Sequence, residues 1–198
     1  GNEVICVDVD NKKINNLNSG VIPIYEPGLE EMVKRNLKQG RLKFSNNVSN
    51  AIRKSNLIFI CVGTPIIKKT NAANLKYVFQ VAKKIKSNLI NYKIIVTKST
   101  VPVTTGDKIE NILKKNKFKS KFDVVSNPEF LREGEAIRDF VVPDRVVVGT
   151  TSKKAIKIMR SLYLPIIKKS TRFFSTSRRG AELIKYASNA FLATKISF

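Results

Sequence analysis

Glu129 and Glu133 sit four residues apart in Ser126-Asn127-Pro128-Glu129-Phe130-Leu131-Arg132-Glu133-Gly134, directly after the apolar, strand-like run 122–125. If the segment is helical, that spacing puts both carboxylates on one face, with Cβ atoms about 5–6 Å apart. A strand that runs into a polar, carboxylate-bearing turn is where an open α/β sheet places its ligand site. The plainer reading is a solvated acidic helix start, since Glu favours the first helical turn. A second pair weighs against it. Lys185 and Asn189 are i,i+4 neighbours in Glu182-Leu183-Ile184-Lys185-Tyr186-Ala187-Ser188-Asn189-Ala190-Phe191-Leu192-Ala193, whose many apolar residues predict a buried helix. A buried lysine must find an anion or lose its charge. Lys with Asn on such a helix is a clamp for a developing oxyanion or a carboxylate; the competing role is an inner salt bridge to an acidic side chain.

Three more features fall at the carboxyl ends of predicted strands. Asp8 closes Val4-Ile5-Cys6-Val7, where dinucleotide-binding folds place an acid for ribose hydroxyls, and where Asp is also a common turn and cap residue. Gly63-Thr64-Pro65 follows the run 57–62, and Ser99-Thr100-Val101-Pro102 follows 93–96. Each supplies hydroxyls and free N–H groups, as ordinary βα turns also do.

The elements that must position these groups alternate. Apolar runs predict strands at 4–7, 42–44, 57–62, 93–96, 122–125, 145–148 and 172–174, the first and third buried on both faces. Between them, periodic segments predict helices at 12–17 (capped by Asp10 or Asn11), 29–39, from Asn46 or Asn47 to 54, and at 75–89, 105–115 and 153–162. A long terminal helix starts at Ser177. This order predicts a mostly parallel, doubly covered sheet. Two prolines and a glycine keep 22–28 out of a helix.

Composition narrows the class. The 198 residues are 42% apolar, enough for a core, with no run near the ~20 residues of a membrane span and no signal peptide in view. Cys6 and Cys61 lie in apolar runs, so both are expected buried; two such thiols suggest a reducing compartment, taken as the cytoplasm. A net charge of +22 would suit a nucleic-acid or anion binder. The lysines are scattered rather than clustered, which argues against nucleic acid, and no metal site is read. A polyanionic small substrate would also profit from the field.

The segments VICVDVD, IPIYEPGLEE, IFICVGTP, TKSTVPV, SNPEFLREGEAIRDF with PDRVVVG, and ELIKYASNAFLATKISF, in this order, resemble the UDP-glucose/GDP-mannose dehydrogenase family. The 22–28 segment leans towards the UDP-glucose branch. The resemblance implies an α/β, Rossmann-like doubly wound sheet and an enzyme that oxidises the C6 alcohol of a nucleotide sugar, UDP-glucose, to a carboxylate with two NAD. By position it puts Asp8 on the adenosine ribose with Lys13 beside it, and Val62, Gly63, Thr64, Pro65, Ser99, Thr100 and Val101 along the cofactor. Thr100 would also orient water, Glu129 would serve acid/base chemistry, and Glu133 would contact cofactor and substrate. Phe130, Leu131 and Arg132 would line the substrate, while Lys185 and Asn189 would stabilise the oxygen at C6. A homodimer is implied for the complete parent.

The departures shape further expectations. The family's first strand, its glycine-rich turn and its nucleophilic cysteine have no counterpart here, so the chain reads as a fragment without turnover. Residues 1–176 would form a partial NAD-binding domain, and 177–198 the start of a central helix that links domains and protomers. Without the first strand, the first and third strands should lack a shared partner, leaving the chain poorly stable or paired in a non-family way.

Overall fold

Apolar four- and five-residue runs form the strands, and the amphipathic segments between them form helices that cover both faces. The computed structural model describes residues 2–198. In chain order come β1 (Val4–Val7), α1 (Asn11–Asn18), α2 (Leu29–Lys38), β2 (Leu42–Ser45), α3 (Val48–Lys54), β3 (Leu57–Ile60), β4 (Ile66–Ile67) and β5 (Ala72–Ala73). Then follow α4 (Lys76–Ser87), β6 (Lys93–Thr97), α5 (Thr105–Lys114), β7 (Phe122–Ser126), α6 (Ala136–Val141), β8 (Arg145–Gly149), α7 (Lys153–Tyr163), β9 (Arg172–Thr176) and α8 (Arg178–Ser197). Side-chain caps fix several helix starts. The Asp10 carboxylate accepts from the Lys12 and Lys13 N–H groups, Asn47 from Asn50, Ser152 from Ala155 and Ser177 from Gly180.

Five strands form the main sheet in the order β3-β6-β7-β8-β9. All pairs are parallel except β7–β8, which meet antiparallel at Ser126 and Gly149. Successive β6 residues face opposite sides. Ile95 packs with Val78, Ile85, Ile109 and Leu113 from α4 and α5, whereas Ile94 and Val96 pack with Ala155, Met159 and Tyr163 from α7. Every β6 residue is buried. The predicted mostly parallel α/β sheet is what forms.

β1 pairs in parallel with β2 alone, in a separate two-stranded sheet. The free edges of β1 and β3 therefore share no ladder, and no other strand takes the place between them among the described residues. The two expected-buried strands are consequently half open. Val4 is 45% exposed and Val7 37%, and in β3 only Ile60 is buried. An apolar strand is buried only when both edges and both faces are covered, and these lack one edge partner. Cys6 and Cys61, expected inside, are accessible to solvent.

Two further expectations are corrected. Residues 127–135 are irregular, so Glu129 and Glu133 share no helical face; a proline at 128 disfavours the helical region for the residue before it, and Gly134 at φ +82° breaks the backbone just before α6. The terminal helix is not buried throughout: Ala181, Glu182 and Lys185 are, while Leu183, Phe191, Leu192 and Ile196 are exposed. The small β4–β5 hairpin and α6 had no separate signal in the sequence. Among the described residues, no helix is long and apolar enough to cross a membrane.

Candidate active site at the carboxyl ends of the strands

The site is built on the register of α8. Its second turn carries Glu182, whose buried carboxylate accepts from the Gly106 N–H (2.7 Å), the Thr104 N–H (2.8 Å) and the Ser126 hydroxyl (3.3 Å). The two N–H donors are otherwise orphaned groups at the start of α5, and the hydroxyl comes from the end of β7. Burial pushes the Glu182 carboxyl up, and the three hydrogen bonds oppose that rise. The start of α8 lies so close to β8 that a Cβ on Gly149 would sit 2.5 Å from the Ala181 side chain. Glycine is required there. Pinned in this way, the helix presents Lys185, three residues beyond Glu182, to the end of β7.

Lys185 Nζ lies 2.9 Å from Glu129 Oε1, in an ion pair whose side chains are 9% and 28% exposed. The other Glu129 oxygen accepts from the Leu131 N–H at 2.6 Å. Burial alone would raise the Glu129 carboxyl. The Leu131 N–H, the bond from Lys185, and the charges of Lys185 and Lys98 outweigh it and hold the group below its ordinary value. Phe130 forms an apolar wall, with the Lys185 ammonium 5.5 Å and the Arg145 guanidinium 4.6 Å from its ring centre. Arg132 pairs with Asp139 at 2.7 Å on the outer side, and Leu131 is exposed.

The turns after β3 and β6 are stitched together. The Ser99 hydroxyl donates to the Val62 carbonyl (2.7 Å), and the Thr64 hydroxyl to the Thr100 carbonyl (2.9 Å). Val101 is buried, Thr100 is half-buried, and Gly63 and Pro65 are exposed. At the end of β1, Lys13 Nζ lies 2.6 Å from Asp8 Oδ2. That bond, with the Asp10 N–H, draws the Asp8 carboxyl below its ordinary value. An ionised Asp8 at a strand end suits a ribose diol.

Of the groups read from the sequence, the fold joins Glu129, Phe130 and Lys185, joins Val62 and Thr64 to Ser99 and Thr100, and joins Asp8 to Lys13. It leaves Glu133 exposed at the loop tip and Asn189 exposed one turn past Lys185, neither bonded to the Glu129–Lys185 pair. A cavity of about 560 Å³ lies along Ile22–Gly28, and one of about 400 Å³ between α5 and the start of α8. Neither takes in Glu129, Thr100 or Lys185. Among the described residues, no group of three or more His, Cys, Asp or Glu side chains is arranged for a metal ion.

The sequence reading passed over a supporting layer. The Asn127 amide donates to the Val147 carbonyl at 2.8 Å and accepts from the Tyr163 hydroxyl at 2.5 Å. Lys98 Nζ reaches both partners, at 3.4 Å from the Tyr163 oxygen and 3.5 Å from Asn127 Oδ1. Burial lowers the Lys98 ammonium and raises the Tyr163 phenol. The one available signal was position: Lys98 and Asn127 directly follow strands, next to the groups already singled out.

A mostly parallel, doubly covered sheet with charged groups collected at its strand carboxyl ends has the architecture of a dinucleotide-binding domain. Residues 1–167 match the UDP-glucose/GDP-mannose dehydrogenase family, NAD binding domain, and the chain belongs to that family. It is 52% identical over 199 residues to UDP-glucose 6-dehydrogenase TuaD of Bacillus subtilis, covering all of this chain and 42% of that protein. It is 46% identical to the UDP-glucose 6-dehydrogenase of Rhizobium meliloti, covering 46% of it. Among solved structures it superposes on a UDP-glucose dehydrogenase from Pyrobaculum islandicum with a TM-score of 0.93, at 38% identity, over 99% of this chain and 45% of that one. A GDP-mannose dehydrogenase from Pseudomonas aeruginosa gives 0.94 at 33% identity, over 100% and 46%. The chain thus spans less than half the length of these relatives.

Proposed function

We propose that this chain is the NAD-binding part of a nucleotide-sugar dehydrogenase that oxidises UDP-glucose to UDP-glucuronate, and that it has no turnover by itself. The observation that carries the reading is the Lys185–Glu129 pair, a shielded cation and base at the end of a central strand. NAD, when bound, would supply the hydride acceptor for oxidation at the sugar's C6. Asp8, with Lys13, holds the adenosine ribose, and the stitched turns of Val62–Pro65 and Ser99–Val101 flank the cofactor. Lys185 donates to the oxygen at C6 as it gains negative charge, with Asn189 as a second donor once the sugar reaches α8. Glu129, kept ionised, takes and returns protons, and Thr100 orients water. Glu133, Phe130, Leu131 and Arg132 contact the sugar nucleotide from the loop.

The covalent step of such a four-electron oxidation needs a thiolate at the aldehyde carbon. Cys6 and Cys61 sit at the β1–β3 seam; each reaches solvent, but the protein packed around it still pushes the thiol up, so neither is a ready thiolate for that role. The seam is also where one more parallel strand would complete the sheet. Residues 177–198 begin the helix that leads to a further domain and to a homodimer partner. Free thiols agree with a reducing, cytoplasmic location.

The isolated chain should form no NADH from UDP-glucose. A polypeptide carrying this chain at the length of its relatives should form it, and Lys185→Ala should lower kcat by about 10²–10³. Turnover by the isolated chain would overturn the first statement. Undiminished turnover in Lys185→Ala would remove the pair from the site, and activity on GDP-mannose alone would change the substrate.

A further inference from the structure

The irregular loop 127–135 carries Glu129 and Glu133 with no ladder to hold it, so its N–H groups need partners from elsewhere. Three carboxylates provide them. Glu129 takes the Leu131 N–H at 2.6 Å, and Asp139 takes the Arg132 N–H at 3.0 Å. Glu26 takes the Gly134 N–H at 2.8 Å through one oxygen and the Ala136 N–H at 3.1 Å through the other. Glu129 and Asp139 belong to the loop and the helix that follows it. Glu26 comes from more than 100 residues away, in the connection between α1 and α2 of the β1–β2 unit.

Glu26 is itself held firmly. Pro27 follows it, Gly28 adopts φ +80°, and the Leu29 N–H donates to the Glu26 carbonyl at 3.0 Å, so the turn runs directly into α2. α2 packs on β2, which pairs with β1. On the other side, Glu135 at the N-cap position of α6 makes no side-chain cap bond, and the Glu26 carboxylate supplies the acceptors instead. A continuous path therefore runs from Asp8 through β1, β2 and α2 to Glu26, then across to the loop of Glu129. The two units share no ladder among the described residues, which gives this polar tie its weight.

We infer that Glu26 is a positioning residue that couples the loop bearing Glu129 and Glu133 to the β1–β2 unit bearing Asp8, so that the ribose end and the sugar end of the site move together. The inference deepens the dehydrogenase reading and rests on it for its catalytic consequence, while the tie itself does not. Without the carboxylate, Gly134 and Ala136 lose their acceptors, the loop loosens, and Glu129 drifts from Lys185 although neither has been altered.

The test compares Glu26→Ala, Glu26→Gln and the unaltered chain by amide hydrogen exchange and by carbon NMR titration of Glu129. In Glu26→Ala, the Gly134 and Ala136 amides should exchange at least ten times faster and the depressed Glu129 pKa should rise towards its ordinary value, while β6 and β7 amides keep their rates. Glu26→Gln retains one carbonyl acceptor and should fall between the two. Equal exchange in all three proteins overturns the inference, and so does a loop that is already unprotected in the unaltered chain. In a polypeptide of the relatives' length, Glu26→Ala should lower kcat about tenfold. A tie seen by exchange, together with no UDP-glucose-dependent turnover in the polypeptide of the relatives' length, would mean that the dehydrogenase reading has failed and the coupling has not.

Discussion

β1 and β6 are close in composition, Val-Ile-Cys-Val against Lys-Ile-Ile-Val-Thr, yet one is mostly exposed and the other wholly buried. β6 has a parallel strand on each edge, α4 and α5 over one face and α7 over the other. β1 has β2 on one edge, and nothing from β1 or β2 joins either core cluster. Burial is thus a property of what surrounds a strand. The comparison also divides the site, because Asp8 stands on the lightly covered unit and the Glu129–Lys185 pair on the well-packed one.

The largest expected difference lies in the cores. Ile95→Ala should cost about 3–4 kcal/mol, because Ile95 is fully buried and its cavity cannot collapse. Ile5→Ala, on the half-open strand, should cost about 1 kcal/mol. Urea unfolding followed separately in the two units measures both, and β1–β2 should melt first. One coincident transition with a full-size m-value would erase the distinction between the units and the low stability foreseen for the chain.

A smaller effect is expected at the pin between α8 and α5. Glu182→Ala leaves the Thr104 and Gly106 N–H groups without an acceptor and should cost about 2–3 kcal/mol, chiefly in the five-stranded unit. Its pH dependence has a defined sign. The raised Glu182 carboxyl contributes most below the ordinary glutamate value of 4.5 and less as pH rises through its folded value. Glu129, lowered from 4.5, does the reverse: its contribution is full above that value and is lost as the pH falls. Replacing Glu129 with Gln should therefore flatten the acid limb of the stability profile, and Glu182→Gln should steepen it. Identical profiles would show that the two carboxyls do not differ in solution.

The smallest effect belongs to the exposed end. Asp8→Asn breaks a pair with Lys13 whose side chains are 32% and 45% exposed, and should cost under about 1 kcal/mol. A loss as large as that of Glu182→Ala would mean that β1–β2 is held far more tightly than its burial indicates.

Much of this organisation was legible in the chain itself. Alternating apolar and amphipathic segments specify the strand and helix order, because period and capping chemistry are local properties. Asp10 and Asn47 cap where expected, and Ser177 starts α8 where the pattern turns. The lysine–carboxylate pairing was foreshadowed by a lysine on an apolar helix, which needs an anion.

Tertiary structure alone decided the rest. Which carboxylate meets Lys185 depends on the register of α8, and Glu182 fixes that register through α5, a long-range contact no window of sequence contains. The same holds for Glu26, whose role depends on an approach across more than 100 residues. It holds too for the exposure of β1, β3 and the outer part of α8, since a continuous apolar run records the capacity to be buried and not the presence of a neighbour. Local chemistry named the groups, and packing chose their partners.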